Sequence, residues 1–126
     1  MEEKNKMEKG KLNWVFCDGD LPPKDDGLMD AHEALMVLNL SDEEAVINAQ
    51  VLFEDKDPVE DVILKVQSKR VKCFRLDKPL GECNYQIPFG QYALVLCSNV
   101  PVFAVFGRLD TRQTNMAYYT VQGHNF

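Results

Sequence analysis

The sequence predicts an all-β fold, an antiparallel β-sandwich of about eight short strands in a single domain, and three observations predict it. Apolar residues recur with period two. Turn residues punctuate the chain at short intervals. No apolar period near 3.6 residues lasts long enough to support a helix.

Residues 1–11 are mostly charged and are expected to be a flexible N-terminal tail, with the domain over 12–121 and a C-terminal tail over 122–126. Strands are expected at 12–17 and 32–39, separated by a Pro-, Gly- and Asp-rich connection over 18–30. The next strand, 45–53, is the clearest. Ala45, Ile47, Ala49, Val51 and Phe53 share one face, and Val46, Asn48, Gln50 and Leu52 share the other. The cluster Glu54-Asp55-Lys56-Asp57-Pro58 breaks it, and alternation resumes as Val62, Leu64 and Val66 in a strand at 61–67, which makes a hairpin. Ser68-Lys69 punctuates before a strand at 70–76. After a second long connection, 77–90, come strands at 91–98, 102–109 and 116–121. Long connections in a compact domain tend to carry function or interface, so Pro22 in the first is expected at an interface.

A chain of 126 residues with a hydrophobic fraction of 45% has the material for one core and not for two. Its longest apolar stretches, at 92–97 and 100–106, fall far short of the roughly 20 residues that cross a bilayer. No apolar run follows a basic start, so no secretory signal is expected. Cys17, Cys73, Cys83 and Cys97 have spacings of 56, 10 and 14, unlike a CxxC ligand pair or a compact disulfide framework. They are expected as free thiols in a reducing cytoplasm, three of them buried in strands as small hydrophobes.

The net charge of −6 opposes non-specific attraction to phosphate backbones, which places nucleic acid last among expected partners. Lys65, Lys69, Arg70, Lys72 and Arg75 nevertheless form a local basic segment within that acidic average.

By alternation Arg108 continues the face of Val102, Ala104 and Phe106, and Arg75 continues that of Val71 and Cys73. A guanidinium near a core needs a carboxylate to offset its desolvation, and Asp110 or Glu33 can supply one. Two readings follow. One is a structural arginine–carboxylate network closing the end of the sandwich. The other is an anion or carbohydrate cleft lined by Arg75, Arg108, Asp110, Arg112, Gln113 and Glu33.

His32 and Glu33 are neighbours on a strand and should point to opposite faces, which disfavours an acid–base pair. His124 falls in the expected tail, and two imidazoles are a poor basis for a metal site. Asp18, Asp20, Asp25 and Asp26 lack EF-hand spacing and are expected as solvated turn residues. Trp14, Tyr85, Tyr92, Tyr118 and Tyr119 suit a core or a subunit interface better than a stacking site, with Trp14, Tyr118 and Tyr119 expected at an interface. The sequence contains no GxSxG, P-loop or HExxH motif, so neither an enzyme nor a cofactor is expected.

The segment Ser98-Asn99-Val100-Pro101-Val102, leading into Arg108-Leu109-Asp110-Thr111-Arg112-Gln113, resembles the signature of the Anabaena sensory rhodopsin transducer family. Trp14, the run Asp18-Gly19-Asp20-Leu21-Pro22-Pro23, His32-Glu33, Leu38-Asn39, Asp42-Glu43-Glu44-Ala45 and Glu54-Asp55-Lys56-Asp57-Pro58-Val59 resemble it in type and order, extending the likeness over residues 12–121. The resemblance implies a soluble β-sandwich protomer assembled as a homotetramer, with a membrane photoreceptor or another cytosolic protein as partner. It also implies links to DNA or carbohydrate-like ligands. Phe106 and Cys73 stand where the resemblance leads one to expect histidines, so no imidazole-dependent metal or proton role carries over. The function expected is that of a cytosolic interaction and signal-transducer module, with binding of a small carbohydrate or anion as the alternative.

Overall fold

The computed structural model describes residues 7–22, 32–110, 117–121 and 123–126. Within them lie eight strands: β1 (Lys11–Leu21), β2 (His32–Asn39), β3 (Ala45–Leu52), β4 (Val59–Val66), β5 (Arg70–Arg75), β6 (Gly90–Asp110), β7 (Ala117–Val121) and β8 (His124–Asn125). The fold is all-β, and every strand pairing is antiparallel. Among the described residues no helix is long and apolar enough to cross a membrane.

One sheet runs β4-β3-β6-β1-β8 and the other β5-β2-β6-β7, so the long β6 belongs to both. Its first half lies between β3 and β1, and its second half lies between β2 and β7. The strands expected separately at 91–98 and 102–109 are therefore one continuous strand that changes sheets. Pairing with β3 ends at Ser98 and pairing with β2 starts at Phe103. Pro101, which has no N–H to donate, falls in that gap, where no ladder hydrogen bond is required of it. The crossover is pinned by Trp14, whose indole N–H donates to the Val102 carbonyl at 3.2 Å. Gly10 lies against the same carbonyl at a φ of 106°, and an added Cβ there would sit 2.1 Å from the Val102 oxygen. Only glycine fits that approach.

The alternation read in β3 is the burial pattern observed. Ala45, Ile47, Ala49 and Val51 are fully buried, and Val62, Leu64 and Val66 face them from β4. Phe16, Leu35, Val37, Leu94, Leu96 and Phe106 complete the middle of the core. Each such side chain contributes about 1.5–3 kcal/mol by leaving water. Asn39, also fully buried, donates to the carbonyls of Glu43 (2.8 Å) and Val66 (3.0 Å) and accepts from Ser41, fixing the turn that leads into β3.

Three further differences from the sequence reading have local causes. β1 runs on to Leu21, because a bulge between Phe16 and Gly19 lets Gly19, Asp20 and Leu21 rejoin the ladder opposite Tyr92, Gln91 and Gly90. Residues 124–125, expected in the C-terminal tail, pair with Val15 and Trp14 of β1. All four cysteines are free thiols but exposed, because Cys17, Cys73 and Cys97 fall on the outward parity of their strands.

Candidate functional site

Where the β1 bulge, β2 and β6 meet, a carboxylate is enclosed. Glu33 has no solvent exposure, being held on the inner face of β2 opposite Arg108. Its Oε1 accepts from the Tyr92 hydroxyl at 2.7 Å and from the Asp20 N–H at 3.1 Å. Its Oε2 accepts from Arg108 Nε at 2.5 Å and from the same Asp20 N–H at 3.1 Å. Arg108 also donates from Nη2 to the Asp18 carbonyl at 2.6 Å, and its side chain is only 11% exposed. Burial, followed by the charge of Glu33 and the hydrogen bond to it, pushes the Tyr92 hydroxyl well above its ordinary range, so Tyr92 stays protonated and donating.

Gly19 makes room for this arrangement. A Cβ at that position would meet the Tyr92 ring at 2.6 Å. The bulged Asp18-Gly19-Asp20 segment thus lies across the tyrosine and turns the Asp20 N–H and Asp18 C=O toward Glu33 and Arg108. Chemically this is a satisfied buried ion pair with a tyrosine donor, which fixes geometry. Of the two carboxylates considered for Arg108, Glu33 is hydrogen-bonded to it.

Arg75 does not join the group. It lies opposite Ala34, on the outer face of the same sheet, and forms a two-pronged pair with Asp77: Nε to Oδ1 at 2.8 Å and Nη2 to Oδ2 at 2.7 Å. Burial pushes the Asp77 carboxyl up. The hydrogen bonds and charge of Arg75, helped by the backbone and by His32, outweigh it and hold the group below the usual carboxylate range. The cluster expected from alternation is therefore divided between two faces, because Val71 and Cys73, whose parity Arg75 follows, point outward. His32 and Glu33 are split in the same way.

The other expected site residues fall as follows. Asp110 ends β6 opposite Ala117, while Arg112 and Gln113 lie outside the described residues. Trp14 is only 7% exposed and stacks on Phe16 with ring centroids 6.1 Å apart, packed into the core cluster. The inward parity it shares with Phe16 is the reason. Pro22 is partly buried at the end of β1. Tyr118 and Tyr119 are placed on β7 opposite Leu109 and Arg108. Among the described residues no group of three or more His, Cys, Asp or Glu side chains could hold a metal ion.

A surface that no motif announced lies on the outer face of the β5-β2-β6 sheet. Its cross-strand rows are Val71–Leu38–Phe103 and Cys73–Met36–Val105. Val71 is 67% exposed, and Phe103 and Val105 are each 38% exposed. The signal was present as two apolar runs without alternation, 34–38 and 102–106, the pattern of strands covered on both faces.

Residues 9–125 match the family described as Anabaena sensory rhodopsin transducer. Among solved structures the chain is similar to one titled "Crystal Structure of Thermotoga maritima 1070", with 30% identity, a TM-score of 0.81, and coverage of 95% of this chain and 97% of that one. It is also similar to the structure titled "Anabaena sensory rhodopsin transducer", at 31% identity and a TM-score of 0.69, over 79% of this chain and 95% of that one. No curated protein matches the sequence.

Proposed function

The chain belongs to the Anabaena sensory rhodopsin transducer family, and from that premise we propose that it is a cytoplasmic, non-catalytic signalling module that self-associates into a homotetramer and acts by protein–protein contact. The observation that carries this reading is the apolar outer face of the β5-β2-β6 sheet, where Val71, Phe103 and Val105 stand exposed beside Leu38 and Met36. A solvated sheet face normally alternates toward polar residues, and contiguous apolar patches mark interaction surfaces. The outer face of the other sheet differs: its rows place Asn48 and Asn13 around Cys97, and Gln50 beside Val95.

The enclosed Glu33–Arg108–Tyr92 group supports the same reading, since it ties the β1 bulge to β2 and β6 with its donors already engaged on protein acceptors. It serves as a rigid strut under the end of the sandwich. By its likeness to a sensory rhodopsin transducer, the partner we propose is a membrane photoreceptor, with a cytosolic protein as the other partner class.

Light scattering coupled to gel filtration tests the assembly. The expected mass is four times the 14.4 kDa chain. Substituting Phe103→Glu together with Val105→Glu places two desolvated charges in the contact and should yield a folded smaller species. A wild-type monomer, or a tetramer indifferent to both substitutions, would refute the assignment of that face.

A further inference from the structure

The two edge strands β4 and β5 follow one another in sequence but belong to opposite sheets, and they diverge from their shared turn. The segment 76–89 crosses the opening between them. It is fastened where the Glu82 N–H donates to the Ile63 carbonyl at 3.1 Å. At the adjacent Gly81, with φ 71°, an added Cβ would stand 2.9 Å from that carbonyl, so this contact too is built for glycine. The strands and the crossing segment line an open cleft of 530 Å³, within the range of small-molecule sites.

The charge of this cleft is opposite in sign to that of the whole chain. Among the described residues Lys65, Lys72, Arg75 and Lys78 line it, with Glu82 as the single lining carboxylate, in a protein of net charge −6. Two of the cations are already matched. Arg75 is held by Asp77, and Lys65 Nζ lies 2.8 Å from Glu82 Oε2 in a bridge whose two side chains are about half exposed. Lys72 and Lys78 form no salt bridge among the described residues. The Lys72 ammonium sits 5.2 Å from the centroid of the Phe74 ring, which is itself 9% exposed and borders the buried Leu80. Two unmatched ammonium groups over an apolar wall suit a ligand with a compact double negative charge and an apolar body.

We propose that this cleft binds a small organic phosphate monoester, its phosphate met by Lys72 and Lys78 and its apolar group lying against Phe74 and Pro79. Lysine serves as a point charge for phosphate. A small dianion feels the local field within a screening length of about 8 Å, whereas an extended polyanion also meets the repulsion of the acidic whole. The exposed Lys65–Glu82 bridge is weak, as such bridges are, so Lys65 can turn from Glu82 to the incoming phosphate. Glu82 therefore competes with the ligand.

Phenyl phosphate is the probe, titrated at low ionic strength with amide chemical shifts and heat as readouts. Saturable binding is expected with shifts confined to 63–65, 72–75 and 78–82, weaker binding of inorganic phosphate, and none of benzyl alcohol. Lys72→Gln and Lys78→Gln should each weaken phenyl phosphate roughly tenfold, and Glu82→Gln should tighten it several-fold. Melting curves of all three should match the parent, and light scattering should leave the oligomer unchanged, which separates this inference from the assembly reading. Absence of saturation, equal affinity for inorganic phosphate, indifference to both Lys72→Gln and Lys78→Gln, or weakening by Glu82→Gln would each overturn it. So would tighter binding of a single-stranded oligonucleotide, which would make the cleft part of a nucleic-acid surface.

Discussion

Glu33 concentrates the cost of the fold in one side chain. A carboxylate with no exposure is tolerable only because Tyr92, Arg108 and the Asp20 N–H all donate to it. Glu33→Gln would remove the buried carboxylate that accepts from Arg108 Nε and oppose an amide N–H to one of three donors. It should destabilise the protein by about 3–5 kcal/mol in urea unfolding. A change within 1 kcal/mol, the range typical of exposed pairs, would show that the group is solvated in solution. Asp77 gives a pH-dependent counterpart. Its folded pKa lies below the ordinary 3.8, so the unfolded chain takes up its proton first as acid is added. The stability it contributes is present above that value and is lost as pH falls through the lower folded pKa. Asp77→Asn should flatten the acid limb of the stability–pH curve in that window, and an unchanged limb would count against the pairing with Arg75.

At the scale of elements, the β1 bulge and the β6 crossover decide how the sheets meet. Gly19→Ala places a methyl group 2.6 Å from the Tyr92 ring, which cannot retreat without giving up its hydrogen bond to Glu33. The expected loss is about 1–3 kcal/mol by overpacking, seen as a lower melting temperature. An unchanged melting temperature would show that the bulge accepts a side chain without crowding Tyr92. The strands themselves were legible where one face is buried: β3 and β4 follow from period-two alternation alone. The bulge was not, since Asp18-Gly19-Asp20 has the composition of a turn, and it becomes strand only because Tyr92 and Glu33 occupy the space beside it. Pro101 likewise reads as a break, and it is tolerated within β6 because the strand changes partners there.

For the whole molecule, the proposed association rests on the outer face of the β5-β2-β6 sheet. If copies of the chain cover it, the melting temperature should rise with protein concentration, since assembly stabilises by mass action. The same dependence should vanish in the variant carrying Phe103→Glu and Val105→Glu. A concentration-independent melting temperature in the parent would remove this face from the account of assembly. The cationic cleft between β4 and β5 is a separate feature of the surface, and its lysines can be altered without touching the apolar rows.

The sequence by itself determined the all-β class, the buried faces of β3 and β4, the family, and the need of Arg108 for a carboxylate. These are local or compositional matters: a period of two dictates a face, and a desolvated guanidinium requires a counter-charge wherever it lies. Only the tertiary structure decided which carboxylate answers Arg108, that Arg75 lies on the opposite face from it, that the cysteines point outward, and that two predicted strands are one. The physical reason is that alternation gives the sign of a strand's parity only where one parity is polar, as in β3 and β4. Where both parities mix apolar and charged residues, as in β5, which one faces inward is settled only when a second sheet packs against it.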